Sequence, residues 1–184
     1  MKTLYIDKEI KYIGSQLSPH WIYKNFKLQG DAIVAFCGEC EVNLDHMVDI
    51  EDVINDEPIY SKNMLSFISE QFNINLPEGV LRQRLLVTTI KETLESLGHS
   101  VIRRGDDLFV NNKKLSVSIA TKSATSVLIH TGINILSEGA PIPVSALESD
   151  LKIKNIKDFA YEIMKRYSEE IDDIILATTK VRGV

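Results

Sequence analysis

The stretch 103-RRGDDLFVNNKKLSVSIA-120 decides how this chain folds, because it alternates β-forming runs with residues typical of tight turns. Gly105-Asp106 and Asn111-Asn112 provide two turns, and a third is expected at 122–124. We therefore predict an antiparallel meander with strands at 100–104, 107–111, 113–121 and 125–136. Two aspartates and two lysines flank the central turn. Such charges are more typical of a ligand pocket than of a buried hairpin.

Helical patterns lie on both sides of this meander. Residues 79–97 carry an apolar stripe and are followed by Gly98, which suits a left-handed cap. Residues 155–181 have helical spacing as well, and predict one long helix or two with a break near 168–173. The stripe of the first helix consists of Leu81, Leu85, Ile90, Leu94 and Leu97.

The N-terminal part mixes short elements. We predict strands at 3–6 and 9–13, a helix from Ser18-Pro19 to about Leu28, and a buried strand at 31–36. Residues 63–72 fit a strand or a helix equally well, and the acidic stretch 43–58 is expected to lie over the surface. The whole chain is thus predicted to be α+β, mainly an antiparallel sheet with helices packed on one side of it.

Composition restricts the function classes. A length of 184 residues predicts a single domain spanning 1–184, and 44% hydrophobic residues are enough for a proper core. The net charge of −5 makes a nucleic-acid partner unlikely, because binding to phosphates needs a basic surface. No apolar run approaches the roughly 20 residues that cross a bilayer, so we expect a cytoplasmic protein with no membrane partner. Cys37 and Cys40 are interpreted as two reduced thiols flanking a turn.

The central hairpin resembles that of biotin and lipoate protein ligases. Their pattern is Asn-Asp-(Ile/Leu), a strand, a Gly-containing turn, and (Arg/Lys)-Lys-(Ile/Leu) leading into a strand of small residues; here Asn112 replaces the turn glycine. Here Asp106-Asp107-Leu108, Asn111-Asn112 and Lys113-Lys114-Leu115 stand in those places. The strand 126-SVLIHTGINI-135 is similar to the next strand of the family, and the resemblance covers about 79–151. The whole chain is also similar to an archaeal-type family, domain of unknown function 366, with this ligase-like core.

The resemblance implies roles for two residues and a pair of cofactors. Lys114 matches the lysine that contacts the acyl carboxylate and the adenylate phosphate, and Asp107 matches the aspartate that orients an incoming amine. ATP and magnesium are the cofactors of that reaction, while the residues of this chain name none by themselves. Neighbouring strand residues point to opposite faces, so the two lysines cannot serve the same pocket. The resemblance implies that Lys114 faces inward and Lys113 faces solvent. The two lysines taken alone would also suit a solvated hairpin turn.

If the strands pair around Asn111-Asn112, Asp107 and Lys114 lie within reach of an ion pair. Asp106 beside Gly105 is explained by turn chemistry alone. Further candidate ligand-binding residues are His130 and Asn134, which lie on one side of a strand, and Arg104. Alternatively, His130 is a hydrogen-bonded structural residue and Arg104 is a surface residue. Our candidate set contains no metal site; a minority alternative uses Asp45, His46, Asp49, Glu51 and Asp52 as hard-metal ligands.

The chain departs from the ligases between residues 31 and 77. Lipoate ligases carry Arg-Arg-x-Thr-Gly-Gly there and biotin ligases Gly-Arg-Gly-Arg-x-Gly, and this acidic stretch contains neither. Three functions therefore stay open: an enzyme that binds or adenylates a small carboxylic acid, a small-molecule or nucleotide-binding module that has lost adenylation, and a purely structural subunit. A homodimer formed through an edge of the meander suits each of them.

Overall fold

A five-stranded sheet of order β1-β2-β3-β8-β7 forms the centre of the molecule, and a smaller sheet of order β4-β5-β6 lies beside it. Our computed structural model describes residues 1–140 and 142–183. In the large sheet only β1 is parallel to its neighbour; the other three pairings are antiparallel. The strands are β1 Lys2–Ile6, β2 Ala32–Val42, β3 Ile59–Phe72, β4 Ile102–Arg104, β5 Asp107–Val110, β6 Lys113–Lys114, β7 Ser116–Lys122 and β8 Ser126–Asn134. The helices are α1 Trp21–Phe26, α2 Ile50–Ile54, α3 Leu76–Ser96 and α4 Ile156–Ala177, with a 3-10 turn at Leu44–His46.

The two faces of the large sheet are both covered. The larger core packs α3 and α4 on one face, and a second core packs α1 and the N-terminal segment on the other. The expectation that helices cover one side only is wrong in this respect. Every residue of β8 is buried, because this strand lies inside the sheet with both faces covered.

The central hairpin forms as the sequence predicts. Asn111 and Asn112 both have positive φ, 51° and 61°, which is the conformation of a two-residue type I′ turn. Asparagine tolerates this region better than other residues with a Cβ, so no glycine is needed here. The predicted strand 113–121 is interrupted at Leu115, whose N–H donates to the Leu108 carbonyl at 2.7 Å. The meander is consequently divided between two sheets.

The helix α3 begins earlier and buries a different face than predicted. The Asn75 side chain accepts a hydrogen bond from the Glu78 N–H at 2.9 Å and caps the helix. Leu81 and Leu97 are 71% and 55% exposed, whereas Ile90 and Leu94 are buried as expected. Leu86 and Val87 are buried as well, and polar side chains take four further buried positions, namely Arg82, Gln83, Thr89 and Thr93.

The buried arginine of this helix belongs to a polar network inside the fold. Arg82 donates to the Gln71 side-chain oxygen and to Glu78, and Gln71 donates in turn to the Tyr167 hydroxyl at 2.9 Å. The network joins α3, β3 and α4. An apolar-stripe argument cannot find it, because its members are polar and some of their partners lie on other elements of the fold.

Several other sequence expectations are corrected or settled. Residues 9–13 form a single bridge, Tyr12 to Cys40, rather than a strand. The first helix spans only six residues and has no side-chain cap from Ser18, because His20 is the N-cap in a left-handed conformation. Residues 63–72 are strand, within β3, and the C-terminal segment is one helix. Cys37 and Cys40 are free thiols inside β2 instead of flanking a turn.

No helix among the described residues is long and apolar enough to cross a membrane.

Candidate functional site

A cavity of about 560 Å³ opens on the sheet face that carries the second core. Its floor is formed by residues of β3, β7 and β8, one wall by the small sheet, and the opposite wall by residues 43–58, which we call the acidic segment. Apolar and aromatic side chains line much of it, among them Tyr12, Val42, Met64 and Val117. A concave site of this size, apolar with a few converging polar groups, is typical of small-molecule binding.

Lys114 and Asp107 form an ion pair on the wall of this cavity. Lys114 Nζ lies 3.0 Å from Asp107 Oδ1, and the two side chains are 38% and 30% exposed. Strand pairing brings them together, because Lys114 is opposite Phe109 and Asp107 begins the same strand β5. Lys113 is exposed and does not line the cavity. The predicted ion pair and the predicted difference between the two lysines are both confirmed.

Asp106 is a site residue that the sequence analysis missed. It lines the cavity next to Asp107, its carboxylate is 3.2 Å from the Arg84 guanidinium, and it accepts a hydrogen bond of 2.9 Å from Gln83. Gln83 also donates to the Ser118 hydroxyl at 3.1 Å. Two side chains of helix α3, Gln83 and Arg84, thus hold the Asp106 carboxylate in place. The sequence analysis explained Asp106 by turn chemistry alone and did not predict that it lines the cavity.

His130 lies at the cavity floor as a buried, neutral ring. It stacks on Tyr12 with 3.8 Å between ring centroids and an interplanar angle of 13°, and its Nε2 is 3.3 Å from the Ser66 hydroxyl. Burial lowers the pKa of His130 to about 3, so the ring carries no charge near pH 7. It therefore contributes a buried ring without positive charge to the floor of the site.

Asn134 lines the cavity on the same side of β8 as His130. Its side-chain N–H donates to the Ser145 carbonyl at 3.3 Å. Among the hydrogen bonds of residues 1–140 and 142–183, none reaches Asn134 Oδ1. Asn134 is 8% exposed as a residue of the cavity lining, and its amide oxygen is left as an acceptor for a ligand N–H.

Arg104 is not brought to this site. It lies exposed on β4, its guanidinium carbon sits 5.0 Å from the centre of the Phe109 ring, and the cavity lining does not include it. The other four predicted site residues, Lys114, Asp107, His130 and Asn134, share one cavity.

The acidic segment lies over the surface as expected, since most of its residues are exposed and none is buried, and it also forms a wall of the cavity. Asp49, Glu51, Asp52 and Glu57 all line it. The pKa of Asp52 is raised, first by burial and then by repulsion from Asp49, while the positive charge of Lys114 acts in the opposite direction. Asp52 of α2 and Lys114 thus line the same cavity, and the lysine favours the ionised form of this carboxyl.

The acidic segment does not arrange its side chains as a metal site. In the part of the chain described, no group of three or more His, Cys, Asp or Glu side chains is placed to hold a metal ion. The residues present therefore do not fit magnesium held by the protein alone, and we derive no step through it.

Comparison with known proteins shows which family this chain matches. The family model "Domain of unknown function (DUF366)" matches residues 1–182. An uncharacterized protein of Methanocaldococcus jannaschii is 41% identical over 180 residues, 95% of this chain and 81% of that protein. A structure of a protein of unknown function from Pyrococcus horikoshi has a TM-score of 0.91 at 37% identity, covering 100% of this chain and 98% of the other.

More distant structures are ligases and share the fold alone. A structure of a putative lipoate protein ligase from T. acidophilum has a TM-score of 0.65 at 12% identity, with 93% of this chain and 85% of that chain covered. A mutant biotin protein ligase from Aquifex aeolicus, in complex with biotin, has a TM-score of 0.62 at 14% identity, with 94% and 70% covered. The predicted α+β, biotin and lipoate ligase-like fold is confirmed.

Proposed function

The chain belongs to the family Domain of unknown function (DUF366), and from its ligase-like fold and its cavity we propose that it binds a small organic molecule without adenylating it. One observation carries the proposal: a charged pair, Lys114 and Asp107, is held half-exposed on the wall of a cavity of about 560 Å³. A merely structural ion pair has no need of an open cavity beside it. Lys114 and Asp107 are the ligand-contacting residues, and His130 and Asn134 form the floor.

The charges of the acidic segment speak against adenylation. Adenylation brings a carboxylate against the α-phosphate of ATP, and fixed cations must offset the charge that develops. Here one lysine, already paired with Asp107, faces the four carboxylates of the acidic segment. A triphosphate in this cavity would be repelled, so the binding module is favoured over the ligase.

The test of binding uses a matched pair of variants at the hairpin. Purified protein, Lys114→Ala and Lys113→Ala are compared by ligand-observed NMR against biotin, lipoate, octanoate, octylamine and ATP. We expect at least one compound to bind, with an affinity that changes severalfold in Lys114→Ala and stays the same in Lys113→Ala. The direction of the change reports the ligand charge, since loss of a cation weakens an anion and strengthens a cation.

Absence of binding to every compound in the panel, together with no small molecule released from protein purified from cells, would contradict the proposal. The third possibility, a purely structural subunit, would then be favoured.

Adenylation of a small carboxylic acid with ATP and magnesium is the second candidate function. Lys114 favours it, because this lysine faces the cavity at the position that contacts the acyl carboxylate in the ligases it resembles. The assay is ATP–pyrophosphate exchange against the same acids, with Lys114→Ala alongside. Exchange with one acid that is abolished in Lys114→Ala would show that the protein is an adenylating enzyme and not a binding module.

Assembly and location complete the proposal. We propose a cytoplasmic homodimer that pairs through an edge of the meander, since β7 is an edge strand of the large sheet.

A further inference from the structure

The cavity lining has a strong excess of negative charge. Two of its carboxylates have a positive partner, since Asp107 pairs with Lys114 and Asp106 with Arg84. The other four form no ion pair with any described residue. The six lining carboxylates are Asp49, Glu51, Asp52, Glu57, Asp106 and Asp107, against a single lysine and no arginine among the described lining residues.

The position of these carboxylates matters as much as their number. Asp49 and Asp52 are half-buried, whereas Glu51 and Glu57 are exposed at the rim. Asp49 Oδ1 already accepts a hydrogen bond of 2.9 Å from the Glu51 N–H, and Asp52 has no such partner among the described residues. The pKa of Asp52 is raised by burial and by its acidic neighbours, so a positive charge placed beside it would relieve an existing repulsion.

The remaining lining adds an acceptor and an apolar body. Asn134 Oδ1 has a free lone pair for an N–H donor, as described above. Tyr12, Met64 and Val117 contribute aromatic and aliphatic side chains to the lining. A ligand that satisfies the whole cavity has a charged N–H end and an apolar chain or ring.

We infer that the cavity takes a small organic ammonium ion, with its charged end between Asp52 and Asp49 and its apolar part over the floor formed by Tyr12, Met64 and Val117. This inference rests on the proposed function, because it assumes that a small molecule occupies the cavity. It differs from what the ligase resemblance implies, namely an acyl carboxylate and a phosphate. On this inference the acidic segment, which stands where the ligases carry their phosphate-binding motif, binds the ammonium group.

The experiment compares three probes that differ only in their head group: octylamine, octanoate and octan-1-ol. Binding is measured by calorimetry at pH 7 to the whole protein and to Asp52→Asn, Lys114→Ala and Asp173→Asn. Asp173 is an exposed aspartate on α4 with no ion pair among the described residues, so its variant is the matched control for loss of one carboxylate. Thermal unfolding of each variant verifies that the fold is intact.

We expect octylamine to bind and both other probes to bind far more weakly. Asp52→Asn should weaken octylamine by about tenfold or more, as expected for loss of one charge-assisted hydrogen bond. Lys114→Ala should strengthen octylamine, because it frees the Asp107 carboxylate, and Asp173→Asn should leave the affinity unchanged. Binding that weakens as salt is added would be consistent with this charge dependence.

Three results would overturn the inference: octanoate binding as tightly as octylamine, an unchanged affinity in Asp52→Asn, or no binding of octylamine. The first result leaves the proposed function standing if octanoate is lost in Lys114→Ala, since a small molecule then occupies the cavity with the opposite charge. The two proposals therefore fail in distinguishable ways.

Discussion

Single residues of the central hairpin show what local rules predict well. The strand alternation separates Lys113 from Lys114, and the structure places one in solvent and the other at the cavity. The same rules say nothing of His130, whose partner Tyr12 is far away in sequence. A stacked and desolvated ring is a property of the assembled sheet, so a histidine in a strand does not reveal its charge state beforehand.

The burial of His130 predicts a specific pH dependence of stability. Its pKa is about 3 in the folded protein and has the ordinary value of 6.5 in the unfolded chain. Between these values the unfolded chain binds more protons, so the free energy of unfolding falls as the pH is lowered below 6.5. The slope contributed by this one group is at most about 1.4 kcal/mol per pH unit, and its contribution is fully present above pH 6.5.

Urea unfolding at pH 5.0, 5.5, 6.0 and 7.0 measures this contribution as a difference between proteins. His130→Asn should have a shallower loss of stability with acid than the natural protein, because the group that takes up the proton is gone. His46→Asn, which alters an exposed histidine, is the control and should keep the original slope. Equal slopes in His130→Asn and the natural protein would mean that the pKa of His130 is the same in the folded and the unfolded states.

Among the elements, α3 meets the sheet most closely at one glycine. A Cβ added at Gly79 would lie 2.4 Å from Val127 Cγ1, a distance that real Cβ atoms do not adopt. Val127 is fully buried in β8 and is stiff at χ1, so it cannot turn away freely. The sequence shows a glycine within the first turns of a helix, where alanine would be the better helix former. The close approach of helix and strand explains it.

Gly79→Ala is therefore expected to destabilise the protein although it raises helix propensity. The propensity gain is about 1 kcal/mol, and overpacking against Val127 should exceed it by about 1–2 kcal/mol. The free energy of unfolding in urea is measured for Gly79→Ala, Val127→Ala and the double variant. The cycle should show that alanine at 79 is tolerated, or even stabilising, once Val127 is truncated. Additive effects would show that the two side chains do not compete for space.

Prediction of the other elements succeeds where the signal is local and fails where partners are distant. The Asn111-Asn112 turn and the cap at Gly98 follow from backbone conformations that few residues adopt, and both are present. The apolar stripe of α3 misplaces Leu81 and Leu97, because the buried face is shared with the network around Arg82. The acidic segment has no periodic signal, so its position over the cavity depends entirely on the tertiary fold.

The whole molecule divides its tasks between the two faces of the large sheet. Helices α3 and α4 fill one face with the larger core, and the cavity opens on the other face beside α1 and the acidic segment. The sequence analysis predicted that helices pack on the sheet, from the helical patterns on both sides of the central hairpin. It also predicted a ligand site at Lys114 and Asp107, and the structure adds Asp106 and the acidic segment to this site. The large sheet has two edge strands, β1 and β7.

The backbone of β7 has an edge that is free among the described residues. Asn134 N donates to the Leu115 carbonyl and Ser123 N to the Ser126 carbonyl, so the odd-numbered residues of this strand bond inward to β8. The N–H groups of Ser118, Ala120 and Lys122 consequently point outward, and no backbone acceptor among residues 1–140 and 142–183 receives them. Such an edge is a template for another strand, and two copies related by a two-fold axis would pair β7 with β7.

We therefore predict a homodimer whose formation depends on these outward N–H groups. Size-exclusion chromatography with light scattering should give twice the 20.8 kDa of one chain. Ala120→Pro removes one outward donor while Ile119 and Thr121 keep their bonds to β8, and proline is tolerated at a sheet edge. The variant should be a monomer with an unchanged circular dichroism spectrum. A natural protein that runs as a single chain at every concentration, or an Ala120→Pro variant that still dimerises, would show that β7 is not the interface.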